Sequence, residues 1–200
     1  MARTRDKAAS HERIIRKAVA QVRRDGADRV SVASLMQDAG LTHGGFYRHF
    51  ASREALIDEA ITSALKPDNT LLDGTGANPG DPLTAYIDVY LSARHRDTPE
   101  SGCGVAALAG DVARGSAASR AAYAHRAEAN IEWLAETIRG KAGPDETRRE
   151  AIIALSTMVG ALVISRAAAG SGISDEILDT VRNDLIDRYS PEHRLSRGHT

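Results

Sequence analysis

In SHERIIRKAVAQVRRDG (residues 10–26), Ile14, Ile15, Ala18, Val19 and Val22 fall on one helical face, and Arg13, Arg16, Lys17, Arg23 and Arg24 lie elsewhere. Ser10 is placed to cap this helix and Gly26 to close it. A second, short helix is expected behind Ser31, with Val32, Leu35, Met36 and Ala39 turned inward and Gly40 at its end. A third runs from the cap Thr42 to about His49, anchored by Phe46 and Phe50. A fourth follows Ser52 and carries Leu56, Ile57, Ala60, Ile61 and Leu65. Gly40, Leu41 and Thr42 are all that separate the second helix from the third, which is the spacing of a helix-turn-helix unit.

The pattern then changes. PDNTLLDGTGANPGDP reads as a loop, and the domain boundary is placed across residues 67–81. Beyond it, Asp81 and Pro82 open a helix to about Arg96, and GVAALAGDVAR forms a short one. Longer helices are expected from about Ser116 to Arg139 and from Pro144 to about Ala169, with a last one capped by Ser174 and ending near Tyr189. The fold class is therefore all-α. A helix-turn-helix domain with its connecting helix spans 1–66, a larger helical domain 82–190 and a flexible tail 191–200.

Composition sharpens this. Abundant alanine and 4% aromatics suit a helical protein, and 42% hydrophobic residues suffice for a core. No stretch approaches the roughly 20 apolar residues that span a bilayer, and the basic N-terminus has no secretion signal. One cysteine, Cys103, excludes an internal disulfide, so the expected location is the cytoplasm. Residues 1–66 hold 12 Lys/Arg against 8 Asp/Glu, and the remainder 14 against 19, so a basic head sits on an acidic body. That asymmetry fits a module for a polyanion.

GLTHGGFYRHF (40–50) holds three of the eight aromatic residues. The second helix of such a unit enters the DNA major groove, where Gly44 and Gly45 exchange helix propensity for close backbone approach. Thr42 and the first amides suit a phosphate or base edge, and His43 lies on the leading turn. Tyr47 offers a hydroxyl to a phosphate and a ring to a thymine methyl. Arg48, Arg53 and a flexible arm with Arg3, Arg5 and Lys7 supply charge. His49 is either a contact or a brace for the fold. The candidate DNA contacts are Ser31, Thr42, His43, Gly44, Gly45, Tyr47, Arg48, His49 and Arg53.

Residues 14–57 resemble the DNA-binding domain of the tetracycline-repressor (TetR) family of bacterial regulators, through IIRKAVAQVRRDG, SVASLMQDAGL, THGGFYRHF and ASREALI. The common family form of the third piece is Ser/Thr-x-Gly-Thr-Leu-Tyr-x-His-Phe, matched by Thr42, Gly44, Tyr47, His49 and Phe50. Arg53 and Glu54 match the Lys-Glu that opens the next helix. Gly45 replaces a small hydroxyl residue, and SLMQDAG is less regular than the common IAxxAG.

One reading helix has few contacts, so such units work as two-fold dimers on palindromic double-stranded DNA. Candidate homodimer residues are Ile152, Leu155, Val159, Leu162, Val163, Ile177, Val181 and Leu185, and the resemblance implies a four-helix bundle across the dimer. It also implies a chamber for a small-molecule effector, with Tyr86, Tyr90, Cys103, Leu108, Tyr123, Trp133, Met158 and Leu162 as candidate lining, although the same residues suit an ordinary core. Cys103, just ahead of a helix, is either a reactive thiol or an inert buried one.

The function this supports is a transcriptional regulator, a repressor released from its operator by the effector. The alternatives are a DNA-binding dimer whose C-terminal half is structural or partner-binding, and, remotely, a hydrolase using Cys103 with His95 or His125. No nucleophile elbow, nucleotide loop or HExxH motif is present, and no metal or cofactor is called for.

Overall fold

The computed structural model describes residues 2–66, 81–138 and 143–189, with the side chains of residues 2–6 and of His43 outside that description. The expected loop at 67–81, apart from Asp81, and the expected tail at 191–200 therefore lie outside the described residues. The described residues are helical throughout: α1 (Ala2–Asp25), α2 (Val32–Asp38), a 3-10 segment (His43–Arg48), α3 (Arg53–Ala64), α4 (Pro82–Tyr90), α5 (Ala93–Asp97), α6 (Gly104–Arg114), α7 (Ala117–Ile138), α8 (Pro144–Ala167) and α9 (Gly172–Tyr189). Short 3-10 turns at Ala27–Arg29 and Pro99–Ser101 complete the list.

Two compact units make up the chain. The first joins residues 1–66 to 99–124 and so includes α6 and the start of α7. Its core forms where α1 packs on α3, with Ile14, Ala18, Val22, Leu56, Ala60 and Ile61 at 2% exposure or less. Leu108 and Val112 of α6 belong to this same core. The carbonyl of Ala64 is a junction: Arg23 donates Nη2–H to it at 2.5 Å, and a Cβ added at Gly104 would lie 2.6 Å from it. Only glycine lets α6 start so close to the end of α3. Asp111 of α6 accepts the amide of Ala27 at 3.2 Å, tying the turn after α1.

Most helix ends follow local chemistry. Ser31, Ser52 and Asp81 accept the amides of Ser34, Ala55 and Thr84, as expected of N-caps. Gly26 and Gly40, at φ 85° and 71°, close α1 and α2 in the left-handed region. Three expected caps make no capping bond: Thr42, Ser10 and Ser174. Helix α1 begins at Ala2, so Ser10 lies mid-helix, accepting from Arg13 Nη2 at 3.2 Å, and the expected flexible arm is helical backbone. Helix α9 begins at Gly172, and Ser174 turns inward to donate to Ser165 O at 2.8 Å. The helix expected from 82 to 96 breaks in two, because the Ser92 hydroxyl donates to Val89 O and caps α5 through the His95 amide.

The second unit holds α4, α5, the rest of α7, α8 and α9. Helix α8, with Ala151, Ala154, Leu155, Met158, Ala161 and Leu162 buried, packs on α9, and α9 also packs on α4. Arg166 donates to the carbonyls of His95 and Arg96, and Arg96 reaches Ser174 and Asp175, tying α5, α8 and α9 together. By length and composition alone α8 is apolar enough to cross a membrane, contrary to the sequence expectation. Its inward residues explain much of that apolarity.

Candidate nucleic-acid interface

Between α2 and the 3-10 segment the chain turns through two backbone bonds, Gly40 N–H to Gln37 O at 2.9 Å and Leu41 N–H to Met36 O at 2.8 Å. The segment that follows is not the α-helix expected over 42–49. It is a six-residue 3-10 helix, opened by extended Thr42 and ended at His49, whose amide donates to Phe46 O at 2.8 Å. Two adjacent glycines weaken α-helical propensity here, while Phe46 and Phe50 must both reach the core. Both do: the two rings stack at 5.5 Å with 2% and 5% exposure, and the Phe50 amide donates to Phe46 O at 3.1 Å, an α-type bond that keeps the pair on one face.

Anchoring those rings turns the intervening side chains outward. Tyr47 is 74% exposed, held edge-on to Phe46, and Arg48, Thr42 and Gly44 are exposed as well. The Thr42 hydroxyl makes no capping bond, so it is not committed to the helix start. A Cβ at Gly44 would meet nothing within 4 Å, whereas one at Gly45 would touch Met36 and Thr42 at 3.6 Å. Gly44 is thus the bare position on the surface, and Gly45 faces α2. Ser31 is exposed but serves α2 as its cap. The side chain of His43 lies outside the described residues.

Arg53 behaves differently from its expected role as a phosphate ligand. Its Nε donates to Val30 O at 3.2 Å, and its Nη2 to Ala27 O and Asp28 O at 2.8 and 3.0 Å. The guanidinium is a clamp that fixes the turn between α1 and α2. His49 is half-buried, with Nδ1 fully covered, and is next in sequence to exposed Arg48. Burial, and then the charges of His11, Lys7 and Arg48, lower its pKa below the ordinary 6.5.

Sequence reasoning missed His11. Its ring stacks on Phe50 at 4.7 Å, and its Nε2 lies 2.6 Å from Glu59 Oε1. The partners are 48 positions apart and no local pattern links them. Between α1 and α3 lies an open cleft of about 670 Å³, lined in part by His11, Glu12, Arg16, Asp58, Glu59 and Lys66.

The candidate effector residues do not form one group. Leu108 is core in the first unit, fully buried beside Val112, which corrects its assignment as chamber lining. Tyr123 packs against that core and donates its hydroxyl to Val105 O at 2.9 Å. Burial first, then the Cys103 charge, raises its pKa. Cys103 itself is buried at the start of α6. In the second unit Tyr86 sits 4.7 Å from Trp133 and 5.6 Å from Tyr90, while Met158 and Leu162 are fully buried. His95 is buried against Tyr90, its Nδ1 2.7 Å from the Tyr90 carbonyl, and His125 is exposed. No cluster of three His, Cys, Asp or Glu suited to a metal occurs among the described residues.

The candidate dimer residues divide as well. Leu155, Leu162 and Leu185 are buried within the subunit, so they are core rather than interface. Ile152 and Val163 are each 41% exposed on α8, with Val159 partly exposed, and Ile177 and Val181 are partly exposed on α9. Ile164 and Ile173, which the sequence did not single out, add exposed apolar surface.

A short α2, a tight turn and an outward-facing second segment define a helix-turn-helix protein of the all-helical class. Residues 14–60 match the family described as "Bacterial regulatory proteins, tetR family". The fold is similar to that of a TetR transcriptional regulator from Chloroflexus aurantiacus J-10-FL, at TM-score 0.75 and 21% identity, covering 94% of this chain and 97% of that one. It is also similar to TetR regulators from Cytophaga hutchinsonii (TM-score 0.72, 18% identity, 92% and 96% covered) and Legionella pneumophila (0.71, 18%, 90% and 96%). Among curated proteins nothing matches the sequence. Residues 14–60 thus resemble the tetR-family regulatory proteins, and the helical fold is that of the TetR structures.

Proposed function

We propose that this protein is a sequence-specific transcriptional regulator that binds palindromic double-stranded DNA as a homodimer, and that it acts as a repressor released by a small-molecule effector. The observation that carries the reading is the outward face of the 3-10 segment, where a 74% exposed Tyr47 stands beside Thr42, Gly44 and Arg48 on a base of buried Phe46 and Phe50. An exposed aromatic on a rigid base, next to bare backbone and a cation, suits phosphate and groove contacts. One six-residue segment reaches few base pairs, which favours two copies about one DNA turn apart, roughly 34–36 Å. The exposed stripe through Ile152, Val163 and Ile164 supports the second copy. The aromatic group of Tyr86, Tyr90 and Trp133 supports an apolar or aromatic effector.

Full burial of Met158 and Leu162 favours the second reading, a DNA-binding dimer whose C-terminal half is structural or partner-binding. Selection of a duplex from a randomised pool tests DNA binding. Tyr47→Ala is expected to weaken all selected duplexes with stability unchanged, while Val163→Asp should yield a monomer in sedimentation. A monomeric wild-type protein, or one that recovers no duplex, would overturn the proposal. A library screen in which no small molecule changes duplex affinity would leave the second reading standing over the first.

A further inference from the structure

The 3-10 segment ends on a histidine in an unusual setting. His49 Nδ1 is fully covered and has no hydrogen-bond partner among the described residues, while the residue as a whole stays partly exposed. The His11 ring of α1 faces it at 6.1 Å, stacked on Phe50 and bonded to Glu59 of α3. The charged and titratable groups around His49 are thus Lys7 and His11 from α1 and Arg48 from its own segment, with Glu59 reached only through His11. Among the described residues, the charged groups that act directly on the ring are all basic.

We infer that His49 is a proton-linked DNA contact: it takes up a proton from solvent when a backbone phosphate reaches Nε2, and the His11–Glu59 pair sets the pH at which this happens. The inference rests on the DNA-binding reading above. In the free protein, a second ring proton would place an N–H at Nδ1 with no acceptor and a positive charge among Lys7, His11 and Arg48. Neutral His49 with its proton on Nε2 fits that setting, the tautomer following from the hydrogen-bond pattern. A phosphate at Nε2 adds an anion and favours the charged ring. A group whose pKa is low when free and higher when bound strengthens the complex as pH falls between the two values. The ceiling is about tenfold in affinity per pH unit for each His49. His11 acts as a positioning residue: Glu59 and Phe50 fix its ring against His49, and its charge helps keep free His49 neutral.

The test uses the full chain and a labelled duplex selected from a random pool at pH 7.5, titrated by fluorescence anisotropy from pH 5.5 to 8 at constant ionic strength. Wild-type affinity is expected to rise toward low pH about three- to tenfold per unit more steeply than that of His49→Gln. His11→Gln should move the rise to higher pH. Imidazole NMR titrations should give His49 a higher pKa in the complex than in the free protein, and they decide the matter alone if His49→Gln does not bind. Parallel pH profiles for wild type and His49→Gln, or equal His49 pKa values free and bound, would overturn the inference and leave DNA binding intact. Recovery of no duplex would instead remove the DNA-binding reading, and this inference with it.

Discussion

Replacing Arg53 by alanine removes a guanidinium that donates to three backbone carbonyls, those of Ala27, Asp28 and Val30, at 2.8–3.2 Å. Hydrogen bonds with a charged partner contribute about 1.5–3 kcal/mol each, but these are only part-buried and share one side chain. Water can replace part of what is lost, so the sum is set at about 2–4 kcal/mol rather than three full bonds. The assay is urea unfolding followed by circular dichroism at fixed protein concentration, read as a change in midpoint at constant slope. Arg53→Lys should lose most of the same stability, because an ammonium cannot span three carbonyls in a plane. Arg48→Ala is the contrast: exposed and uncommitted to the clamp, it should leave stability within about 0.5 kcal/mol and lower the salt dependence of duplex binding by about one unit. If Arg53→Ala instead unfolds like wild type and lowers the salt slope, the side chain is a phosphate ligand, and the clamp argument is wrong.

Gly44→Ala meets open space and should raise stability by about 0.4–1 kcal/mol by restricting the unfolded chain while weakening duplex binding; equal or tighter binding would show that bare backbone is not needed there. Gly104→Ala should destabilise by about 1–3 kcal/mol, since its Cβ falls 2.6 Å from the Ala64 carbonyl, and urea unfolding checks it. His95 is buried with its pKa lowered from 6.5 to about 4, burial being the main cause. Its folded pKa lies below the unfolded one, so its neutral form contributes fully above pH 6.5. That contribution is lost as pH falls toward 4, at up to about 1.4 kcal/mol per unit, and His95→Gln should flatten this part of the stability–pH curve.

Features encoded by neighbours a few residues apart were legible in the sequence. Ser31, Ser52 and Asp81 cap helices because the amide each one accepts lies three positions on. Ser10 and Ser174 have the same side chain but no free helix start to serve. The segment over 42–49 is helical as expected but wound as a 3-10 helix at 43–48 rather than an α-helix, and two adjacent glycines give it little α-helical propensity. Helix α8 is apolar nearly all round, so its sequence does not say that Leu155 and Leu162 face inward while Ile152 and Val163 face out. Arg53 and His11 take their roles from partners 23 to 48 residues away, beyond any periodicity. Leu108 illustrates the same limit, because a short apolar helix carries no label for the core it joins.

Leu108 and Val112 also bear on how this protein can be taken apart. A fragment cut after Lys66 would keep the whole helix-turn-helix unit yet leave bare the hydrophobic wall those two side chains roof over. Such a peptide should be sticky and short-lived in solution. A miniature that survives excision would have to splice residues 99–124 back onto it, so the smallest folded unit is discontinuous along the polypeptide.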